Sequence, residues 1–127
     1  MHNRFNEIKK SLYRIRNAEC KIAHCDDTKH CSFEIIDDRG EWGKFSTNYI
    51  VEYVPPDEKP PKGIVATMTF YDVRDRKHAG QVYHLHCEHD DYAINDGELG
   101  LFISDFWCYN EKQVMDKVRW FRQRVRR

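Results

Sequence analysis

Both ends of this chain repeat their apolar residues at helical spacing, while the middle repeats them at every second position. Phe5, Ile8, Leu12 and Ile15 follow one another at steps of three, four and three, which places them on one face of a helix. Val114, Val118, Phe121 and Val125 form a second such stripe, widened by Met115, with Trp120 beside it. Between them, Phe45, Thr47, Tyr49, Val51 and Tyr53 alternate with Ser46, Asn48, Ile50 and Glu52, the signature of a strand with one aromatic face. A helix at each end needs an apolar surface to cover, and a sheet with one apolar face supplies it.

The remaining segments fit this frame. CKIAHC and CSFEIID flank the polar DDTKH and read as a hairpin, although the first helix running on through Cys20 is the competing reading. Residues 64–73 and 81–87 are strand-like, with RDRKHAG between them as a hairpin connector. Residues 99–109, LGLFISDFWCY, are apolar on both faces and read as an interior strand. All four prolines fall in PPDEKPPKG, an extended connector that cannot donate to a ladder. Asn3 or Asn6 is the expected cap of the first helix and Asn110 that of the last. The expected fold is α+β, one domain over residues 1–127. An antiparallel sheet of five to six strands, a meander or half-barrel, is flanked by an N-terminal and a C-terminal helix.

Charge is sorted along the same division. Residues 1–18 hold five bases against Glu7 alone, and residues 111–127 hold seven against Glu111 and Asp116. The stretch between them holds nine bases against eighteen acids, so a formal net charge of zero conceals a dipolar chain. Seventeen aromatic residues argue for a packed core despite 33% charged residues. No apolar run reaches the length of a membrane span and the N-terminus lacks a secretory pattern. The expectation is therefore a cytoplasmic protein, without membrane contact, whose five cysteines stay reduced.

Three groups of residues could carry chemistry. On a strand, His84 and His86 of HLHCEH project from one face, and His89 could fold back as a third metal ligand. HLHCEH also resembles the HxHxDH signature of the metallo-β-lactamase superfamily, with Glu88 in the aspartate position. That resemblance covers six residues and leaves the later ligand positions without counterparts, so the superfamily is not assigned. Cys20, His24, Cys25, His30 and Cys31 form a second cluster, in which only the Cys20–Cys25 spacing approaches a structural zinc pair. Buried thiols and a polar sheet face are the readings preferred here, with no metal and no cofactor. Cys87 beside His86 is not read as a nucleophile, because strand neighbours face opposite ways. Glu88, Asp90, Asp91, Asp96 and Glu98 read as an acidic loop without calcium-loop spacing.

The third group is Lys117, Arg119, Trp120, Arg122, Arg124 and Arg126 on the last helix, a candidate surface for a partner or for nucleic acid. No nucleophile elbow, P-loop or dinucleotide fingerprint occurs, so an enzyme is not the expectation. The preferred reading is a small soluble non-catalytic interaction protein of inhibitor, immunity or accessory type. It would act through charge-segregated surfaces on a protein partner or on a second copy of itself. The alternatives are binding of RNA or single-stranded DNA through the arginine-rich helix, and a His/Cys metal-binding protein.

Overall fold

The computed structural model describes residues 4–26, 28–38, 40–55, 80–95 and 98–125, with the backbone alone for residues 42, 90–95 and 98–101. Its elements are α1 (Asn6–Tyr13), β1 (Ala18–Cys25), β2 (His30–Asp38), a 3-10 turn (Gly40–Trp42), β3 (Lys44–Tyr53), β4 (Tyr83–Asn95), β5 (Glu98–Cys108) and α2 (Glu111–Val125). The five strands form one open antiparallel sheet in the order β1-β2-β3-β4-β5, so the expected α+β meander is the observed fold. The expected strand at 64–73, most of the proline connector and most of RDRKHAG lie outside the described residues.

Each turn has a local cause. α1 ends at Tyr13, and Asn17, with a positive φ of 63°, turns the chain into β1, so the helix does not continue through Cys20. In the β1–β2 hairpin the Asp26 carboxylate accepts from the backbone amides of Thr28, Lys29 and His30 at 2.9, 2.6 and 3.2 Å. Gly40 and Gly43, with φ of 66° and 84°, bracket the 3-10 turn between β2 and β3, and Gly43 N–H donates to the Gly40 carbonyl.

One face of the sheet carries both helices. Strand alternation brings Phe33 and Ile35 of β2, Tyr49 and Val51 of β3 and Leu85 and Cys87 of β4 into one cluster with Phe5, Ile8 and Leu12 of the α1 region and Val114, Met115, Val118, Phe121 and Val125 of α2. Phe33 stacks on Tyr49, whose ring meets Phe121 edge-on with centroids 6.0 Å apart. A fully buried Phe side chain contributes roughly 1.5–3 kcal/mol, so these rings weigh heavily in the core. Burial pushes the Tyr49 phenol well above its ordinary pKa.

The helices also hold each other. α1 has no side-chain cap of its own, so neither expected asparagine caps it: its N-cap is Phe5, Asn6 lies inside it, and Asn3 is outside the described residues. Instead Glu111, in the first turn of α2, accepts hydrogen bonds from the amides of Glu7 and Ile8 at 3.1 and 3.3 Å. α2 is capped as expected: Asn110 Oδ1 accepts from Gln113 N–H at 2.9 Å, and Gln113 Oε1 accepts from Tyr109 N–H at 2.8 Å.

Two expectations about the sheet are corrected. β5 is the last strand of the described sheet rather than an interior one, and Ile103 is 49% exposed. Phe106 meets Trp120 of α2 on one side and Trp107 lies against His84 on the other, so these residues need no further strand. The acidic stretch from Glu88 is not a loop. β4 continues through Asn95, paired to β5 through His89↔Phe102, Asp90↔Leu101 and Asp91↔Gly100, with a register shift before Asn95↔Glu98.

Candidate functional site

The face of the sheet opposite the helices holds a belt of ionisable side chains. Register places His30, Glu52, His84 and Trp107 in one row across β2 to β5, and Ser32, Ile50, His86 and Asp105 in the next. Same-face neighbours in adjacent strands stand close enough to touch. Glu52, His84, His86 and Trp107 are nonetheless buried, at 1, 0, 6 and 7% exposure. Asp105 joins them: its Oδ1 lies 2.7 Å from His86 Nδ1 and 3.3 Å from His84 Nε2. Glu52 Oε1 stands 4.0 Å from His84 Nδ1, and the His84 ring lies against Trp107, centroids 5.1 Å apart. Burial pushes the Asp105 carboxyl up, but the hydrogen bonds and charge of His84 and His86 outweigh it and hold the group below its ordinary value.

His84 and His86 therefore share a face, as the sequence predicts, while Leu85 and Cys87 enter the core. His89 does not join them. It lies on the helix-covered side, where its Nδ1 is 2.7 Å from the Ser46 carbonyl oxygen and its ring meets Phe45 edge-on and stacks on Phe102. The Cys/His cluster of the first hairpin divides in the same way. Cys25 and Cys31 face each other across the ladder, whereas the rings of His24 and His30 pair on the other side, 5.4 Å apart. Burial, and secondarily His24, lowers the pKa of His30. Among the described residues no group of three or more His, Cys, Asp or Glu side chains is placed to hold a metal ion.

The second site lies along α2. Its N-terminal half is anchored by Asn110 and Glu111, and its stripe is buried, so the polar face is turned outward. Arg122 is the exception, turning inward to form a two-pronged ion pair with Asp37 of β2 at 2.6 and 3.2 Å. The side chains of that pair are 14 and 5% exposed. Burial works against the Arg122 charge, but Asp37 raises its pKa. Arg119 pairs with Asp116 one turn back at 3.0 Å, on open surface. Lys117 sits 5.1 Å above the Phe106 ring, Trp120 meets Phe106 edge-on, and Arg124 lies over Trp120 at 5.6 Å. Arg126 lies outside the described residues.

Between the C-terminal half of α2 and β5 runs an open cleft of about 520 Å³, lined by Phe102, Ile103, Ser104, Trp120, Phe121, Arg124 and Val125. Two of its large apolar side chains face water on the α2 side, Phe102 at 37% and Trp120 at 47% exposure, while Ile103, 49% exposed, projects from the opposite face of β5. Sequence reasoning identified Trp120 and Arg124 but missed Phe102 and Ile103, because an apolar strand run reads as buried on both sides. It also missed Glu52, Asp105 and Trp107 on the other face. Asp105 left one signal, a lone acid inside an apolar strand, which a buried partner must answer.

No helix among the described residues is long and apolar enough to cross a membrane. Comparison with protein-family models, with curated proteins and with solved structures finds no match to this chain.

Proposed function

We propose that this protein is a non-catalytic interaction module that docks an acidic protein segment onto the cleft between α2 and β5. The observation that carries this reading is the cleft in which Phe102 and Trp120 are exposed together, bordered by Arg124. An apolar patch rimmed by charge is the usual anatomy of a docking site. α2 carries five bases against two acids, and both acids are engaged, Glu111 on the amides of α1 and Asp116 on Arg119. Lys112, Lys117 and Arg124 remain to steer an acidic partner, while the apolar side chains supply the buried anchor.

The same surface supports nucleic acid less well. Arg122 is committed to Asp37 and Arg119 to Asp116, which withdraws two guanidiniums from phosphate. One face of Trp120 lies under Arg124 and its ring meets Phe106, which leaves less of it for stacking on a base.

The test is affinity capture from extract of the native host on the immobilised full chain and on Trp120→Ala/Arg124→Glu. A protein held at about 0.1 M salt, released near 1 M, and lost with the double variant supports the proposal, because screening shortens from about 10 Å to about 3 Å over that range. A nuclease-sensitive captured species replaces it with the nucleic-acid reading. Equal capture by both forms overturns it.

A further inference from the structure

Cys25 and Cys31 stand directly opposite each other at the closing end of the β1–β2 hairpin. The hairpin is shut by Asp26 N–H donating to the His30 carbonyl at 2.9 Å, so Cys25 and Cys31 occupy the next, closely spaced rung of the ladder. Opposed residues on such a rung have Cα atoms about 4.5 Å apart, inside the range a disulfide bridges without moving the backbone. The Cys25 thiol donates to the Asp26 carbonyl oxygen at 3.7 Å, which holds it at the closing end of the hairpin. The two thiols differ in access: Cys31 is fully buried, while Cys25 is partly exposed and all five cysteines are free.

The strand they would secure is thinly covered. Among the described residues β1 pairs with β2 alone, and Glu19 and residues 21–24 are exposed. Its ladder also slips one residue between Ile22 and His24, immediately before Cys25. An edge strand with little apolar cover opens locally at low free-energy cost.

We infer that Cys25 and Cys31 form a reversible thiol–disulfide latch, oxidised by a low-molecular-weight disulfide such as glutathione disulfide, that fastens β1 to the sheet. Cys25, the accessible thiol, loses its proton and attacks one sulfur of the glutathione disulfide. A Cys25–glutathione mixed disulfide forms and one glutathione leaves as its thiolate. Cys31 then gives up its proton and attacks Cys25 Sγ, releasing the second glutathione. Two protein thiols are oxidised and one glutathione disulfide is reduced to two glutathiones. Burial holds the Cys31 thiol well above its ordinary pKa, so the second step is the slow one and the mixed disulfide precedes the latch.

The experiment exposes the full chain to graded glutathione disulfide, quenches with an alkylating reagent and maps the peptides. The expected product is a Cys25–Cys31 cross-linked peptide with loss of two hydrogens, reversed by excess dithiothreitol. Cys25→Ser, a half-exposed change that spares the core, should yield no disulfide and no glutathionylated Cys31. Cys31→Ser should stop at a stable glutathione adduct on Cys25. Amide exchange in β1 should slow by at least about tenfold in the oxidised chain. Recovery of alkylated Cys25 and Cys31 from treated chain, a bridge between any other pair, or unchanged β1 exchange overturns the inference.

Discussion

Alternate residues of β3 and β4 enter two very different environments. On the helix-covered side, Tyr49, Val51, Leu85 and Cys87 are sealed against Phe33, Val118 and Phe121. On the opposite side, Glu52, His84 and His86 are buried as deeply, yet what they meet is Asp105, Trp107 and one another. The first side is stabilised by apolar area withdrawn from water, and it tolerates any side chain of similar shape. The second must match each donor to an acceptor, because an unmatched polar group in that setting costs about 1–3 kcal/mol. One backbone thus carries a forgiving face and an exacting one.

Removing a ring from the forgiving face should give the largest loss. Phe121→Ala is expected to lower unfolding stability by about 3–5 kcal/mol, read from the urea midpoint. A loss under about 1 kcal/mol would mean that the cluster around Tyr49 closes over the gap, and the apolar side would not be the main support.

The Arg122–Asp37 ion pair on that side tests whether charge can matter there. Asp37→Ala leaves the inward-turned Arg122 unmatched and should cost about 3 kcal/mol, whereas changing Asp37 and Arg122 together to apolar residues should recover much of it. A double-variant loss equal to the sum of the two single-variant losses would show that the pair is not coupled.

On the exacting face, Asp105→Asn replaces a carboxylate hydrogen-bonded to His86 and 3.3 Å from His84 Nε2, and is expected to cost about 1–3 kcal/mol at neutral pH. The pH dependence follows from the direction of its shift. The folded-state pKa of Asp105 lies below its unfolded value, so its contribution is fully present above about pH 4 and is lost as pH falls through the folded value. Wild type should therefore lose stability more steeply than Asp105→Asn below about pH 4, and parallel curves would remove Asp105 from the hydrogen-bonded belt.

The smallest effect belongs to open surface. Arg119→Ala breaks an exposed pair with Asp116 and should change stability by less than about 0.5 kcal/mol. A larger loss would show that α2 relies on its outer charges, contrary to the division drawn here.

Periodicity read from the chain located both helices, the β1–β2 hairpin, β3 and most of β5, because amphipathic spacing is a local property. It also placed His84 and His86 on one face and Leu85 and Cys87 on the other, since strand alternation needs no knowledge of neighbours. The length of β4 was not legible. Residues 88–95 are acidic and look like a loop, and pairing with β5, joined at Glu88 by β3, keeps them extended. The cleft was half legible, through Trp120 and Arg124, while Phe102 and Ile103 looked like core.

What the sequence determined by itself was the order of elements, the stripes and alternations that choose their buried sides, and the segregation of charge toward the ends. Tertiary structure alone decided that Glu111 caps α1, that Arg122 leaves the basic surface for Asp37, that His89 parts from His84 and His86, and that Cys25 meets Cys31. Spacing along a strand or helix fixes direction, but a partner from another element is fixed only by register and packing.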